Sequence, residues 1–286
     1  MNILLTGSGG FIGLNLKEYL KTKYTLFCPR SYELDLTHSD AVKKYFQNHN
    51  IDLIIHCASI GGVRGQDDPE ITIDANLAML NNLILYRRSG VRIILFGSGA
   101  MYDKSKDLHK VKESDIGKYI PYDLYGQAKL KIAEIVKNHF DILCLNIFAC
   151  YGYNEKPSRF PSYAINQVLK GQDIIINQNV IFDYLFVDDM VKIVEFFIEN
   201  VPKNNIINIT PIKSISLFEI AKIVKEISGV NCKIEIKNQV MNNEYTGDNS
   251  ILLEEIPNFT FTSMKDGLSK LYNYLNLDNR CIEWQK

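Results

Sequence analysis

The sequence predicts an α/β fold: a doubly wound parallel sheet of the Rossmann type, with a smaller α/β lobe towards the C-terminus. Short apolar runs alternate with amphipathic helical segments over the first half of the chain, and this alternation is typical of a parallel sheet covered by helices on both faces. A glycine-dense turn follows the first apolar run, and the regular alternation stops after Phe148.

The first half contains five predicted strands separated by four predicted helices. The strands are Asn2 to Leu5, Tyr24 to Cys28, Leu53 to Cys57, Arg92 to Gly97 and Ile142 to Phe148. The helices cover residues 11–22, 38–48, 71–89 and 123–138. Parallel strands that are joined through helices take right-handed crossovers, which place helices on both faces of the sheet.

After Phe148 the strand and helix signals weaken. Residues 151–162 carry Gly152, Pro157 and Pro161, and a substrate-binding segment is predicted to begin there. The remaining predicted elements are a helix over 190–199 with Asp188 or Asp189 as its N-cap, a strand over 206–209, and helices over 217–228 and 264–275.

Composition and charge narrow the classes of partner. The 286 residues are 46% hydrophobic and 23% charged, with a formal net charge of −1, and they contain no basic run that would favour nucleic acid. No apolar stretch reaches the length of a membrane span, and the first residues enter a strand without a basic leader. We therefore expect a cytoplasmic protein with no nucleic-acid or membrane partner.

The cysteines and histidines lack the spacing of metal ligands. The cysteines are scattered, mostly in apolar runs, and are expected to be free buried thiols: Cys28, Cys57, Cys144, Cys150, Cys232 and Cys281. The five histidines are expected at loops or strand ends, so no metal site is predicted.

The glycine turn after the first strand has the pattern of a cradle for a dinucleotide pyrophosphate. Gly7 permits the tight turn, Gly10 carries no side chain to block the pyrophosphate, and Gly13 lets the following helix lie close to the sheet. Phe11 and Ile12 open that helix, whose N-terminal N–H groups face the phosphates. A plain glycine-rich turn is the alternative.

Because the glycine turn lies in the first half of the chain, we predict that this half binds the dinucleotide and that the rest binds the substrate. Residues 1–150 form a dinucleotide-binding domain, to which 180–210 return. Residues 151–179 and 211–286 form a substrate-binding lobe.

Tyr125 and Lys129 are predicted to share one face of the helix over 123–138, four residues apart. An ammonium group so placed stabilises a phenolate, which suits tyrosine to work as an acid or base. Two further pairs have this spacing, Tyr19 with Lys23 and Tyr102 with Lys106. Tyr125 differs because its helix follows the strand that ends at Ser98, and active groups gather at that carboxyl edge. Ser98 is either a hydroxyl for a substrate oxygen or a strand cap.

The residues after the second strand favour one dinucleotide over the other. An acidic residue there would bind the ribose hydroxyls of NAD, but the chain has Arg30 and Ser31, which suit a 2′-phosphate and predict NADPH rather than NADH. Asp35 and Leu36 are then expected near the adenine. The alternative is a solvated arginine beside a loop.

Taken together, these motifs resemble the extended short-chain dehydrogenase/reductases, the NAD-dependent epimerase/dehydratase family that acts on nucleotide sugars. Within it, the chain is most similar to the C4 reductases of the GDP-L-fucose synthase type. The stretches that carry the resemblance are Thr6 to Gly13, His56 to Ser59, Ile60 to Val63, Asn76, Gly97 to Tyr102, Tyr125 to Lys129, Tyr184 to Asp189, Asn208 to Thr210, and Ser216 with Leu217.

The resemblance implies roles for these residues. Hydride passes from the nicotinamide to a sugar C4 ketone, Tyr125 donates the proton, Ser98 polarises the carbonyl, and Lys129 holds the nicotinamide ribose. Further cofactor contacts fall on Cys57, Ala58, Ser59 and Asn76. Substrate contacts fall on Gly62, Val63, Gly99, Ala100, Met101, Arg159, Phe160 and Phe182. The resemblance also implies a homodimer formed through the helices near 71–89 and 123–138, although leucines of the first helix could pack on the chain's own sheet.

The chain departs from the family pattern at the residues that exchange protons. Ala100 occupies the place of a cysteine, and the segment around Arg159 offers no histidine, so no C3 or C5 epimerisation is expected. No acid follows Ser98, which disfavours dehydration. Phe182 stands where an arginine is common; Arg159, Lys170 and Lys237 are the remaining candidates for gripping a phosphate.

These expectations describe an NADPH-dependent C4 reductase of a nucleotide-linked 4-keto sugar. A GDP-linked deoxyhexose or heptose for surface carbohydrate, such as a capsule or other polysaccharide, is the expected substrate class. Two alternatives stay open: a 4-epimerase that retains NAD, and an idle dinucleotide-binding scaffold.

Overall fold

The computed structural model describes the backbone of residues 1–63 and 65–283, and the side chains as far as Leu277. The strands are β1 Asn2–Thr6, β2 Thr25–Phe27, β3 Leu53–His56, β4 Arg92–Ser98, β5 Leu108–Val111, β6 Ile142–Ile147, β7 Ala149–Tyr151, β8 Ile174–Gln178, β9 Ile181–Phe182, β10 Tyr184–Phe186, β11 Ile206–Asn208, β12 Ile215–Ser216, β13 Ile234–Asn238 and β14 Tyr245–Gly247. The helices are α1 Phe11–Leu20, α2 Ser39–Asn48, α3 Thr72–Tyr86, α4 Leu124–Val136, α5 Phe160–Leu169, α6 Val187–Glu199, α7 Leu217–Ser228, α8 Ser250–Glu255 and α9 Met264–Glu283.

Six parallel strands form the central sheet in the order β2-β1-β3-β4-β6-β11. Because the strand order reverses at β1 and β3, the loops that follow these strands diverge and leave a crevice at the carboxyl edge, where open α/β sheets bind their ligands. The predicted α/β class with a doubly wound parallel sheet is confirmed. The sixth strand, β11, brings residues 206–208 back to this sheet.

Alternate side chains of the central strands supply two separate cores. Ile3 and Leu5 of β1 belong to the cluster that contains α1 and α6, whereas Leu4 belongs to the cluster on the opposite face with α2, α3 and α4. Both faces of the strand are fully buried, which explains the continuous apolar run in its sequence. In α3, Leu80 and Leu83 are buried in this second core, while Leu85 is 66% exposed.

The predicted boundaries differ from the structure in a few places. β2 is shorter than expected, and α3 ends at Tyr86. The N-cap prediction is wrong, because α6 already begins at Val187 after Phe186, so that Asp188 and Asp189 lie in its first turn. Asp189 instead accepts hydrogen bonds from the backbone and hydroxyl of Thr262, which tie α6 to the segment before α9.

The second half of the chain contains the predicted helices α6, α7 and α9, and adds small sheets and the helices α5 and α8, which the sequence did not indicate. The small sheets have the strand orders β10-β7, β12-β9-β14-β5 and β13-β8. A buried carboxylate joins three of their segments: Asp183 accepts hydrogen bonds from Lys110, Ser214 and the backbone of Gly247. Burial and these four bonds fix β5, β9 and β14 relative to one another.

The structure also bears on the expected free cysteines and on possible membrane-spanning helices. The described cysteines are all free: Cys144, Cys150 and Cys232 are buried, whereas Cys28 and Cys57 are half-buried, and Cys281 lies outside the described side chains. In the described part of the chain, every helix is too short or too polar to cross a membrane.

Glu155 holds the N-terminus of α5. One oxygen of its buried carboxylate accepts hydrogen bonds from the backbone and hydroxyl of Ser162, while Oε2 lies buried without a partner in the described structure. Burial raises the pKa of Glu155 to about 7, against the lowering effect of Ser162 and the nearby Arg159. The folded protein therefore retains a proton that the unfolded chain has already released.

Stability should consequently fall as the pH rises from about 4.5 to about 7 and then level off, with a span of at most about 3 kcal/mol from this group. In Glu155→Gln the part of this slope that Glu155 contributes should disappear, as measured by urea unfolding at pH 5 and pH 8, whereas other acids with a raised pKa, such as Glu113, keep their contribution. Glu219→Gln is the matched control. The hydrogen bond with Ser216 lowers the pKa of Glu219, so its carboxyl does not titrate in this range. Parallel profiles for wild type and Glu155→Gln would contradict the assignment.

Candidate active site

The glycine turn is a close contact between three backbone segments. Gly7 has a φ of +65°, and a Cβ there would lie 2.5 Å from the amide nitrogen of Ala58, at the end of β3. A Cβ on Gly13 would collide with the Gly7 carbonyl oxygen, so α1 packs directly onto the turn. At Gly10 a Cβ would meet only the Gly7 oxygen, at 3.4 Å. This position faces open space above the start of α1 at Phe11 and Ile12.

Arg30 extends from the loop after β2 to the glycine turn. A Cβ on Gly9 would collide with the Arg30 guanidinium, which therefore lies against the turn. Ser31 and Asp35 are exposed nearby, and Leu36 is buried. Asp35 itself accepts hydrogen bonds from Thr37 and contacts His38.

The loop after β3 is held from below by a buried amide. Asn76 of α3 donates to the backbone oxygen of Ile60 and accepts from its N–H and from the Ser59 hydroxyl. Cys57 and Ala58 precede this loop and are half-buried. The polar groups of Asn76 are thus engaged in shaping the loop that faces the glycine turn.

Ser98, Tyr125 and Lys129 lie at one edge of the sheet. Asp123 caps α4 by accepting from the Gly126 N–H at 2.9 Å, which starts the helix just before Tyr125. One turn later, the buried Lys129 donates to the Phe96 carbonyl at 2.8 Å and lies 5.5 Å from the centre of the Tyr125 ring. Ser98 ends β4, the strand that carries Phe96.

Asp68 positions Tyr125 and was not found from the sequence. One carboxylate oxygen accepts the Gly62 N–H at 2.7 Å and the other accepts the Tyr125 N–H at 2.8 Å. A Cβ on Gly62 would lie 2.9 Å from the Tyr125 ring, so the phenol rests directly on this glycine. Asp68 precedes Pro69 and belongs to no sequence motif that would have identified it as a site residue.

The candidate substrate residues divide into surface and core positions. Gly99, Ala100 and Met101 form a buried 3-10 turn after Ser98, with Met101 wholly inside the core. Val63 is exposed beside Gly62. Among these residues, the side chains of Ala100 and Met101 contribute to packing, and the turn presents mainly its backbone.

Phe160 lines a separate cleft of about 580 Å³ between α5, β8 and β13. Its wall combines aromatic and aliphatic side chains with amides and one cation: Ser158, Phe160, Tyr163, Ile175, Ile176, Asn177, Gln178, Val180, Leu217, Lys237 and Asn242. Arg159 is at the N-cap position of α5, next to Phe160, and makes no side-chain capping bond, whereas Lys170 lies at the opposite end of that helix. Of the three predicted basic residues, only Lys237 lines the cleft.

Phe182 lies in an aromatic cluster beside Ser98. Its ring centre is 5.8 Å from that of Tyr245, which lies 5.2 Å from Phe148 on its other side. The Tyr245 hydroxyl lies against Gly99, the residue after Ser98: a Cβ on Gly99 would be 2.6 Å from it. Sequence reasoning missed Tyr245, which joins the site from β14, far along the chain and outside any motif.

Among the described residues, no cluster of histidine, cysteine and acidic side chains is arranged to hold a metal. His56 bonds to Thr6 at 2.8 Å, and burial lowers its pKa to about 3, so the ring is neutral. A dinucleotide cradle beside a serine, a tyrosine and a buried lysine, all at the carboxyl edge of a parallel sheet, defines a nicotinamide-dependent α/β enzyme.

The NAD dependent epimerase/dehydratase family matches residues 3–210, and the chain belongs to that family. GDP-L-colitose synthase of Yersinia pseudotuberculosis is 37% identical over 112 residues, which are 37% of this chain and 36% of that protein. GDP-L-fucose synthase of Azorhizobium caulinodans is 29% identical over 174 residues, 55% of each chain. The chain thus spans about a third of the first relative and about half of the second.

The fold is shared with solved structures over almost the whole chain. The GDP-mannoheptose C4 reductase of Campylobacter jejuni, solved with NADP bound, superimposes with a TM-score of 0.80 over 96% of this chain and 98% of its own. The two sequences are 20% identical, so the comparison establishes the common fold.

The two glycine positions predict different outcomes. Gly10→Ala should change the free energy of unfolding by less than about 1 kcal/mol, because its Cβ has space, yet weaken binding of the nicotinamide dinucleotide at least about tenfold if the pyrophosphate crosses it. Gly13→Ala should lose binding and also about 2 kcal/mol of stability through the collision with Gly7. Urea unfolding and NADPH fluorescence titration measure both. Wild-type binding by Gly10→Ala would place the cofactor elsewhere.

Proposed function

We propose that this protein reduces the C4 ketone of a nucleotide-linked 4-keto sugar with NADPH. The observation that carries the proposal is the placement of Tyr125, over Gly62 and beside buried Lys129, at the sheet edge that also holds the glycine cradle. This arrangement puts a proton donor next to the place where a nicotinamide would lie.

The residues of the chain supply the proton and the electrostatic stabilisation. NADPH, when bound, supplies the hydride that adds to C4, leaving NADP⁺. Tyr125 gives its proton to the ketone oxygen, so that the product is the C4 alcohol and Tyr125 becomes a phenolate. Lys129 stabilises that negative charge, and Ser98 donates a hydrogen bond to the same oxygen as its charge develops.

The described residues around Ser98 support a reaction without proton exchange at C3 and C5. Ala100 offers only a methyl group, and it is buried in the turn after Ser98. Burial raises the pKa of the nearby Tyr245 well above neutrality, so its phenol stays protonated and is not available to accept a proton. Reduction without epimerisation is therefore the proposed reaction.

Arg30 supports NADPH as the cofactor. Its guanidinium lies against the glycine turn at Gly9, where it would meet a 2′-phosphate on the adenosine ribose. The residues that would hold the rest of the dinucleotide are the backbone of the turn, the Cys57 to Ser59 loop and Lys129.

The cleft beside Phe160 is the proposed site of the nucleotide. Phe160 and Tyr163 offer flat faces for a base, the amides of Asn177 and Asn242 offer hydrogen bonds, and Lys237 offers a positive charge for phosphate. A GDP-linked deoxyhexose or heptose is the proposed substrate class, since the colitose, fucose and mannoheptose proteins above are all named for GDP sugars. Use in surface carbohydrate follows from that class.

We further propose that the protein is a cytoplasmic homodimer. Leu85 of α3 is exposed, and so are Ile120 and Tyr122 just before α4. Apolar side chains at these two neighbouring helices would be covered by the same helices of a second copy.

The reaction is tested with a panel of substrates. GDP-, ADP-, UDP- and dTDP-linked 4-keto-6-deoxyhexoses and a GDP-linked 4-keto-heptose are incubated with NADPH in heavy water, and products are read by NMR. A GDP member should be reduced, with no deuterium at C3 or C5, and Tyr125→Phe should be at least about 100-fold slower. Deuterium at those carbons would contradict the absence of epimerisation. Isomerisation by protein that retains NAD would identify a 4-epimerase, and no turnover at all a scaffold.

The cofactor preference is tested at Arg30. Arg30→Ala should weaken NADPH binding by about tenfold or more while leaving NADH binding unchanged. The substitution removes the contact between the guanidinium and the 2′-phosphate, and only NADPH carries that phosphate. Arg88→Ala is a control arginine before β4, at the opposite edge of the sheet. Equal affinities for both cofactors in the wild type would contradict the assignment.

A further inference from the structure

The glycine turn after β1 contains a further glycine, Gly9, that the dinucleotide cradle does not require. The Gly10 N–H donates to the Gly7 carbonyl at 3.0 Å, which closes the turn with Ser8 and Gly9 at its tip. Gly9 is exposed, and its φ lies outside the left-handed region that favours glycine. The backbone would therefore accept an alanine here, and the missing side chain needs another explanation.

The atoms nearest to Gly9 belong to a side chain, whereas the other glycines of the turn face backbone. A Cβ on Gly7 or Gly13 would collide with backbone atoms, and a Cβ on Gly10 would meet a backbone oxygen. At Gly9 the three nearest atoms are those of the Arg30 guanidinium: Cζ at 3.2 Å, Nη2 at 3.8 Å and Nη1 closer than either. Nη1 thus occupies the space that a Cβ on Gly9 would fill.

Arg30 is fixed at its backbone and unpaired at its guanidinium. Its N–H donates to Glu33 Oε2 at 2.7 Å, and its carbonyl accepts the N–H groups of Glu33 and Leu34 at 2.9 Å. None of the ion pairs and hydrogen bonds of the described residues involves the guanidinium. A cation that lies against the glycine turn without an acid beside it is available to an anionic group of a ligand.

We propose that Gly9 is a specificity-determining residue: because it has no side chain, the Arg30 guanidinium can rest on the glycine turn, where it selects NADPH through the 2′-phosphate. This inference rests on the proposed function, because it takes that phosphate as the ligand of Arg30. A methyl group at position 9 would displace the guanidinium into solvent. NADPH would then bind a cation that is no longer held in place, which lowers its affinity.

The test compares Gly9→Ala with the wild type in fluorescence titrations of NADPH and NADH. We expect the Kd for NADPH to rise about 5- to 20-fold and the Kd for NADH to stay within about twofold, because only NADPH carries the 2′-phosphate. The melting temperature should stay within about 2 °C of the wild type, since the new methyl group meets only an exposed, flexible side chain. A wild-type Kd for NADPH in Gly9→Ala would overturn the inference.

A double-mutant cycle separates an effect through Arg30 from an effect of the methyl group itself. If Gly9 acts through Arg30, adding Gly9→Ala to Arg30→Ala should change the Kd for NADPH less than about twofold. If the two losses multiply, the methyl group obstructs the cofactor directly and the inference is wrong.

Gly10→Ala is the matched control from the same turn. Its Cβ also has space, but it would face the pyrophosphate that both cofactors carry, so it should weaken NADPH and NADH to the same extent. An equal loss of both cofactors in Gly9→Ala would show that position 9 acts like position 10, and it would overturn the proposed selectivity.

The wild-type titrations distinguish this inference from the proposal on which it rests. A wild type that binds NADPH and NADH equally overturns the NADPH assignment, and this inference with it. A wild type that prefers NADPH, together with a Gly9→Ala variant of unchanged preference, overturns the inference alone.

Discussion

The candidate site depends on a backbone contact that leaves no space for a side chain. The turn after β1 lies so close to the end of β3 that Gly7 cannot carry a Cβ, and α1 lies so close to the turn that Gly13 cannot either. The same contact fixes the position of the loop from Cys57 to Gly62 relative to the sheet. The Tyr125 ring packs against Gly62, at the end of this loop. The position of the phenol therefore depends on how the glycine turn packs against the end of β3.

Carboxylates extend this constraint to the rest of the molecule. Asp68 joins the loop after β3 to the first turn of α4 through two backbone N–H groups. Asp183 performs a similar function between β5, β9 and β14, where its charge is compensated by Lys110 and two neutral donors. Because both acids accept from backbone or from buried partners, they restrict whole segments and not only side chains. Asp68 thereby holds the segments around Tyr125, and Asp183 holds the strand that carries Tyr245.

The sequence predicted what is encoded locally and missed what depends on distant contacts. The glycine turn, the Ser98 strand end and the Tyr125 to Lys129 spacing are each contained in a few consecutive residues, and the sheet was predictable because buried parallel strands have continuous apolar runs. Tyr245 and Asp68 enter the site only through the tertiary fold. The N-cap of α6 was misplaced for the same reason: Asp189 is bound by Thr262 and Asp188 by Lys270, both more than 70 residues away.

The aromatic cluster also explains why a phenylalanine, and not an arginine, occupies position 182. Phe182 occupies a position where an arginine was expected, and it packs against Tyr245 and Tyr184. A guanidinium between these rings would lose hydration without an acid to compensate it, since the described acid next to it, Asp183, is already bound to Lys110. Of the basic residues that the sequence offers for a phosphate, Arg159 lies at the start of α5 and Lys237 lines the cleft beside Phe160.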